Sequence, residues 1–288
     1  MTENKVTQWY NEHVELEDKC LISGNLQYEI TLHYIREAIA SLQRPEDPAK
    51  GLHIADIGCG TGVYAIPLAQ DGHRVSISDI SSASANFAVQ KAQAANLHFV
   101  TSSAFDARSL RSHSEIYKPN HYSLVLLPGP LYHILDEDER CDVLLSALEI
   151  VKPGGYVLAA FVTRNAHLRD IAVRDPGRLA REWGFYERYL RDGRYTRGGK
   201  APMYHASLKE IRALVATARR KGQDKGIGSE LGKLVSCEGF LGFQHASHLV
   251  ELDEDAFARW REVVLGSAAD EATLGAADHI LAVIRRTS

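Results

Sequence analysis

Asp56-Ile57-Gly58-Cys59-Gly60-Thr61-Gly62 sets three glycines at alternate positions, the first of them two residues after an acid. Glycine adopts positive φ without steric cost and lets a ligand approach the backbone closely. Where such a run leaves a strand and opens a helix, the free N–H groups of the first helical turn face the same ligand. A second acid, Asp79, follows Gly58 by 21 residues. An acid at that distance, ending the next strand, accepts hydrogen bonds from both hydroxyls of a ribose. A dinucleotide fingerprint reads G-x-G-x-x-G, with a pyrophosphate over the helix end. The spacing here is G-x-G-x-G, and Asp56 would oppose a pyrophosphate but suits a loop that binds an ammonium-bearing ligand. Nicotinamide redox chemistry is disfavoured on both counts. Taken singly, Asp56 and Asp79 are also ordinary turn formers or helix caps.

The surrounding pattern supplies the strands and helices that these residues need. Apolar runs at 52–57, 73–80, 97–102, 122–127 and 155–162 read as strands, and segments near 62–71, 82–95 and 137–151 read as helices. That alternation predicts a parallel sheet with helices on both faces. Ligands bind such sheets beyond the carboxyl ends of the strands. Residues 9–23 and 25–43 read as two helices ahead of the sheet, and the Pro- and Gly-containing 44–51 as a loop. After residue 162 the rhythm stops for an Arg-, Tyr- and Gly-rich stretch, 164–205. It resumes with a helix at 207–221, a strand at 231–239, a helix at 254–266 and a strand at 279–285. The expected organisation is an N-terminal helical lid (1–44) and one α/β domain (45–288), with 164–205 as an insertion.

At this point the chain resembles the class I S-adenosylmethionine-dependent methyltransferases. Their glycine motif is matched by Asp56 to Gly62 and their ribose acid by Asp79. Asp106, in Ala104-Phe105-Asp106-Ala107-Arg108, matches the acid after the third strand. Leu126-Leu127-Pro128-Gly129-Pro130-Leu131-Tyr132-His133 matches the fourth-strand motif, and Val151-Lys152-Pro153-Gly154-Gly155 the turn into the fifth strand. The likeness covers about residues 25–163 well and the C-terminal strands loosely. It is strongest to small-molecule methyltransferases with a GPLYHL signature and a helical N-terminal lid. The lid run Arg-Leu-Glu-Phe-Glu of that group is matched by Asn25-Leu26-Gln27-Tyr28-Glu29, which differs at Asn25 and Gln27.

The resemblance implies a doubly wound, Rossmann-like α/β sheet of seven strands with the last antiparallel, and S-adenosylmethionine as cofactor. It implies that Asp56, Gly58, Cys59, Gly60 and Gly62 hold the methionine end. Asp79 and Ile80 then take the ribose, Asp106 and Ala107 the adenine, and Leu127 adjoins them. Methyl transfer is an in-line displacement that needs alignment and exclusion of water. A base is needed only where the acceptor carries a proton. His133, just past the fourth strand, is the candidate base, with an imidazole that ordinarily titrates near neutrality. The plain alternative is a histidine that caps a helix or bonds a backbone group. Tyr132 beside it either shares that proton chemistry or lines the site. In this family an insertion after the fifth strand commonly covers the substrate, so Tyr204 and His205 are the expected substrate residues.

Between Arg164 and Lys200 the insertion holds ten basic and five acidic residues, interleaved with aromatics. Such a stretch binds RNA by phosphate pairing and base stacking, or is a solvated surface of pairs such as Arg178–Glu182. The second reading is favoured. The chain as a whole has 33 Lys and Arg against 37 Asp and Glu, a net charge of −4, so it offers no general basic field for nucleic acid. Cys20, Cys59, Cys141 and Cys237 lie far apart without a CxxC pair, and His245 and His248 lack an evident third ligand, so no metal site is expected. No apolar run reaches the roughly 18–20 residues of a membrane helix, and the polar start resembles no targeting peptide. A cytoplasmic enzyme, monomer or weak homodimer, is expected, methylating an O or N atom of a small metabolite. RNA or protein methylation, and a cofactor-binding fold that catalyses a rearrangement, are the alternatives.

Overall fold

The computed structural model describes residues 5–22, 26–42, 51–197 and 201–288. Most of the expected 44–51 loop, and Asn25 of the lid run, lie outside them. The chain opens with α1 (Lys5–Glu12), α2 (Val14–Ile22) and α3 (Leu26–Leu42). The first expected helix is thus two. The break falls at His13, whose Nδ1 hydrogen-bonds the Trp9 carbonyl at 2.8 Å while the two rings stack 3.9 Å apart. A side chain takes the carbonyl that a continuous helix would give to the backbone.

The sheet then builds as β1 (His53–Ile57), α4 (Ala65–Gln70), β2 (Arg74–Asp79), α5 (Ser82–Ala94), β3 (Thr101–Ala104), β4 (Tyr122–Leu127), α6 (Glu137–Ile150) and β5 (Val151–Val162). The insertion follows: α7 (Arg164–Arg174), α8 (Arg178–Arg181), α9 (Trp183–Asp192) and the hairpin β6 (Arg194–Tyr195)/β7 (Met203–Tyr204). Helix α10 (Leu208–Gln223), β8 (Ser229–Ser236), a helix at Glu254–Ser267 and β9 (His279–Arg286) complete the fold. The seven-stranded order is β3-β2-β1-β4-β5-β9-β8. The first five strands run parallel, and β9 runs antiparallel to both β5 and β8.

Continuous apolar runs make central strands because helices cover both faces. In β1 and β2 every residue after the first is buried. The edge strand β3 sits later than its apolar run. Leu97 closes α5 through its N–H to the Ala92 carbonyl, and pairing with β2 begins at Thr101. Ladder register, not hydropathy, decides where it starts. Strand β5 begins earlier than expected because Lys-Pro-Gly-Gly is drawn into the ladder over a bulge opposite Tyr122 and Leu124. A methyl group at Gly155 would lie 2.5 Å from the Ser123 carbonyl, so glycine is required there.

Helix α3 also packs into the core of the sheet. Leu26, Ile30, Tyr34, Ile35 and Ile39 are buried with β1, β2 and β5 residues in one core cluster. The insertion leaves and rejoins the sheet at one point, where Arg164 N–H donates to the Ala206 carbonyl and Ala206 N–H to that of Val162. Its own small core is Ile171, Phe185, Tyr186 and Tyr189.

Candidate active site

Strand order reverses around β1, with β2 on one side and β4 on the other. The loops after β1 and β4 meet there. A methyl group on Gly58 (φ +79°) would lie 2.6 Å from Pro130 Cδ, so the glycine serves both the turn and the close contact. Between the loops lies a cleft with about 1150 Å³ of empty space, counted to its open mouth. Gly58, Cys59, Gly60, Asp79, Ile80, Asp106, Ala107, Tyr132 and His133 all line it. So do Val6 and Tyr10 of α1, Glu17 of α2 and Gln27 of α3, which form its roof.

Five expected site residues do not reach the wall. Asp56 and Leu127 are fully buried. Successive strand residues point to opposite faces, so Ile57 and Pro128 take the wall beside them. Gly62 packs against α5, where a methyl group would lie 3.0 Å from Ala88 Cβ. Tyr204 lies under the Arg140 guanidinium, 3.6 Å from the ring centroid. His205 bonds Tyr189 Oη through Nδ1 at 2.7 Å inside the insertion. Both belong to the packing behind the cleft, because the hairpin is held to the sheet by its own aromatic side chains.

Asp79 is buried, and burial raises its pKa against the pull of the Ser81, Gly60 and Ile80 backbone N–H groups. Its Oδ2 accepts from Gly60 N–H and its Oδ1 from Ser81 N–H, each at 2.8 Å. Each oxygen keeps a further lone pair for a ligand hydroxyl. Ser81 caps α5 and donates its Oγ–H to Asn11 Oδ1 at 2.7 Å, which ties α1 to this end of the cleft. Asp106 caps the short turn Ala107–Ser112. Burial would raise its carboxyl, but Arg108, with a 2.5 Å contact, holds it low. Beneath the glycine loop, both Asp56 oxygens, Thr61 Oγ1 and Ser78 Oγ are buried without a partner among the described residues. Burial, then the nearby Asp79, pushes Asp56 up to about 8, so it is protonated near neutrality.

His133 joins two distant segments. Its Nδ1 lies 3.0 Å from the Pro202 carbonyl, which can only accept, so Nδ1 carries the proton. Nε2 is then bare and accepts from Tyr10 Oη–H at 2.8 Å. Desolvation lowers the imidazole to about 4, only partly countered by Pro202. Tyr10 is raised by burial and then by Tyr132, Glu17 and Asp79, and Tyr132 is raised by burial, Glu17 and Asp79. Both phenols therefore stay protonated at neutral pH. Tyr10 escaped the sequence reading because α1 carries no spacing signal, and its partner lies 123 residues away.

These residues fit a cofactor with a diol, an amino group and a flat apolar ring. Asp79 offers paired acceptors, unpartnered polar atoms lie under the loop, and Phe105, Ile80 and Ala107 form an apolar wall. The comparisons agree. Residues 54–155 match a methyltransferase domain. The ubiquinone biosynthesis O-methyltransferase of Chelativorans sp. is 28% identical over 152 residues, 50% of this chain and 55% of that protein. Its counterpart from Methylobacterium sp. is 29% identical over 148 residues, 50% and 56% of the two chains. The chain spans about half the length of the curated relatives it matches. Among solved structures, the CcbJ methyltransferase of Streptomyces caelestis superposes with a TM-score of 0.59 at 15% identity, over 99% of this chain and 100% of that one. A SAM-dependent methyltransferase of Methanosarcina mazei gives 0.53 at 18% identity, over 86% and 95%. With the seven-strand order and the loop geometry, residues 54–155 are therefore a class I S-adenosylmethionine-dependent methyltransferase domain.

Proposed function

We propose that the chain transfers a methyl group from S-adenosylmethionine to a hydroxyl oxygen of a small molecule, with Tyr10 and His133 carrying away the proton. The observation that supports this most is the Tyr10–His133 hydrogen bond inside the cleft. When bound, the cofactor supplies a methyl carbon made electrophilic by sulfonium, and the C–S electron pair stays on sulfur as the oxygen bonds to carbon.

The chain's own groups set the order of events. An imidazole at about 4 is a weak base. Stripping a free phenol of pKa about 10 would be uphill by about 8 kcal/mol. A hydroxyl oxygen, however, keeps a lone pair while protonated, and its proton becomes strongly acidic as the bond to carbon forms. A weak base then suffices. Tyr10 Oη accepts that proton as its own passes to His133 Nε2, and Pro202 holds the ring in the receptive tautomer. A nitrogen acceptor held as ammonium must lose its proton first, which this pair is poorly matched to do.

A small acceptor is favoured because Val6 and Tyr10 of α1 roof the cleft, which leaves little room for a polymer. The insertion's arginines also favour it. Arg164, Arg169, Arg174, Arg178, Arg181 and Arg197 pair with Glu210, Asp278, Asp170, Glu182, Asp175 and Glu182. The names of the O-methyltransferase relatives point the same way. The test offers methyl-labelled cofactor to the purified protein with a small-molecule extract, an RNA fraction and a protein fraction. Label in a small-molecule ether is expected. Label only in RNA or protein, or none anywhere while S-adenosylhomocysteine binds, would overturn this reading.

A further inference from the structure

The charged groups on the cleft wall are Glu17, Asp79, Asp106 and Arg108. Three of the four are already engaged. Arg108 donates to Asp106 through Nε and Nη2 and to Glu139 through Nη1 at 3.1 Å. Asp79 accepts from two backbone N–H groups. Glu17 stands apart. Its Oε1 has the Trp9 indole N–H at 3.4 Å, a neutral donor at the limit of hydrogen-bond length. Among the described residues no Lys or Arg pairs with it. It lines the same cleft as Tyr10, Tyr132 and His133, and its charge bears on both phenols.

We propose that Glu17 seats a cationic amine of the acceptor, so that the molecule methylated is a hydroxyl compound bearing an ammonium group. This rests on the methyl-transfer reading above. A carboxylate or phosphate on the acceptor would meet Glu17 with no free cation among the described cleft residues to offset it. A wholly neutral acceptor would take water from Glu17 and leave the carboxylate without a charged partner, which is costly. An ammonium group forms a charge-assisted hydrogen bond with it. The amine is a handle and not the nucleophile, because a nitrogen held as ammonium has no lone pair, while a hydroxyl keeps one. The insertion's arginines do not reverse this polarity, since six of them already pair with carboxylates.

The experiment splits a small-molecule extract of the encoding organism into cation-exchanger-bound, anion-exchanger-bound and unbound pools, each offered with labelled cofactor. Label is expected in the cation-bound pool, on oxygen by fragmentation mass spectrometry. Glu17→Gln should raise KM for that acceptor about tenfold or more with kcat little changed, and Glu17→Asp should recover part of the loss. The cofactor's own sulfonium and α-ammonium groups are the competing partners for Glu17. Glu17→Gln should leave the affinities for S-adenosylmethionine and S-adenosylhomocysteine both unchanged if the acceptor's amine is the partner; a loss for both marks the cofactor's ammonium, and a loss for S-adenosylmethionine alone its sulfonium. Label confined to the anionic or unbound pool, methyl found on nitrogen, an unchanged KM, or a loss of S-adenosylmethionine affinity, with or without a matching loss for S-adenosylhomocysteine, would each overturn the proposal. The absence of label in every pool would instead overturn the methyl-transfer reading on which it rests.

Discussion

The two ends of the cleft are built by different means. At the β1–β2 end, Gly58, Gly60 and Asp79 come from one strand–helix–strand unit, and Asp79 bonds Gly60 across 19 residues. At the β4 end, His133 is held by Tyr10, 123 residues earlier, and by Pro202, 69 residues later. The first end is a local motif that any chain of this sequence pattern reproduces. The second is an assembly of three segments, so its geometry depends on α1 and on the insertion. On the proposed function, the local end grips the cofactor and the assembled end meets the acceptor. Helix α1 spans both through neighbouring residues, with Asn11 on Ser81 and Tyr10 on His133.

The largest effect that would sharpen this contrast is on turnover. His133→Ala is expected to lower kcat by about 10²–10³-fold, the usual range for a lost acid–base group. S-adenosylhomocysteine affinity should stay within a few-fold, measured by titration calorimetry. Tyr10→Phe keeps the ring and removes the Oη–H, so it should cost less, and the double variant should be little worse than His133→Ala. Additive losses would mean that the two do not act as one path. The opposite signature belongs to Asp79→Asn, which removes the charge that Gly60 and Ser81 hold in place. Cofactor affinity should fall roughly 10- to 100-fold, as for charged hydrogen bonds. Equal losses of affinity from His133→Ala and Asp79→Asn would erase the distinction between the ends.

The same division explains what could be read from the sequence. The strands, their parallel order and the Gly58–Asp79 unit follow from short-range periodicity and spacing. His133 was legible because it closes the β4 motif. Tyr10 was not, since a tyrosine in a short polar helix carries no pattern until the fold brings it to Nε2. Asp56 and Leu127 were placed in the site by motif membership, but strand alternation turns them behind it. Tyr204 and His205 were placed by their position at the end of the insertion. Yet the insertion's aromatic residues cohere with one another first. Whether Arg178 was free for a phosphate also depended on its pairing with Glu182 at 3.4 Å, a local i,i+4 contact that the sequence does show.

Asp56 provides a test of the local end that needs no substrate. The native carboxyl, raised to about 8, is protonated at pH 7, while in the unfolded chain it titrates near 3.9. Between those values the native state holds the extra proton, so this stabilising contribution is full below about pH 4 and is lost as pH rises toward 8. The slope for one such group is about 1.4 kcal/mol per pH unit. Asp56→Asn should flatten the fall in urea-unfolding free energy between pH 5 and pH 7. Asp79, raised in the same direction, should leave a residual slope. An unaltered slope would mean that Asp56 is already ionised in the folded protein.

The smallest effect bears on the assembled end. Arg140 of α6, almost wholly buried, donates from Nη1 to the Ile134 carbonyl at 2.7 Å, one residue after His133. Its guanidinium lies over Tyr204, two residues after the Pro202 carbonyl that orients His133. Residues 202–204 thus grip the 130–134 turn twice, once at the imidazole and once through Arg140. A desolvated cation–π contact is worth about 1–2 kcal/mol. Tyr204→Leu should therefore lower kcat severalfold while KM for the acceptor holds. Tyr204→Phe, which keeps the ring face, should restore most of the loss. If Tyr204 instead touches the acceptor, KM rises and kcat holds, and the insertion would be a substrate wall as its position in the sequence suggests. If Phe and Leu fail alike, the phenol hydroxyl and not the ring face is what the turn depends on, and the clamp through Arg140 is wrong.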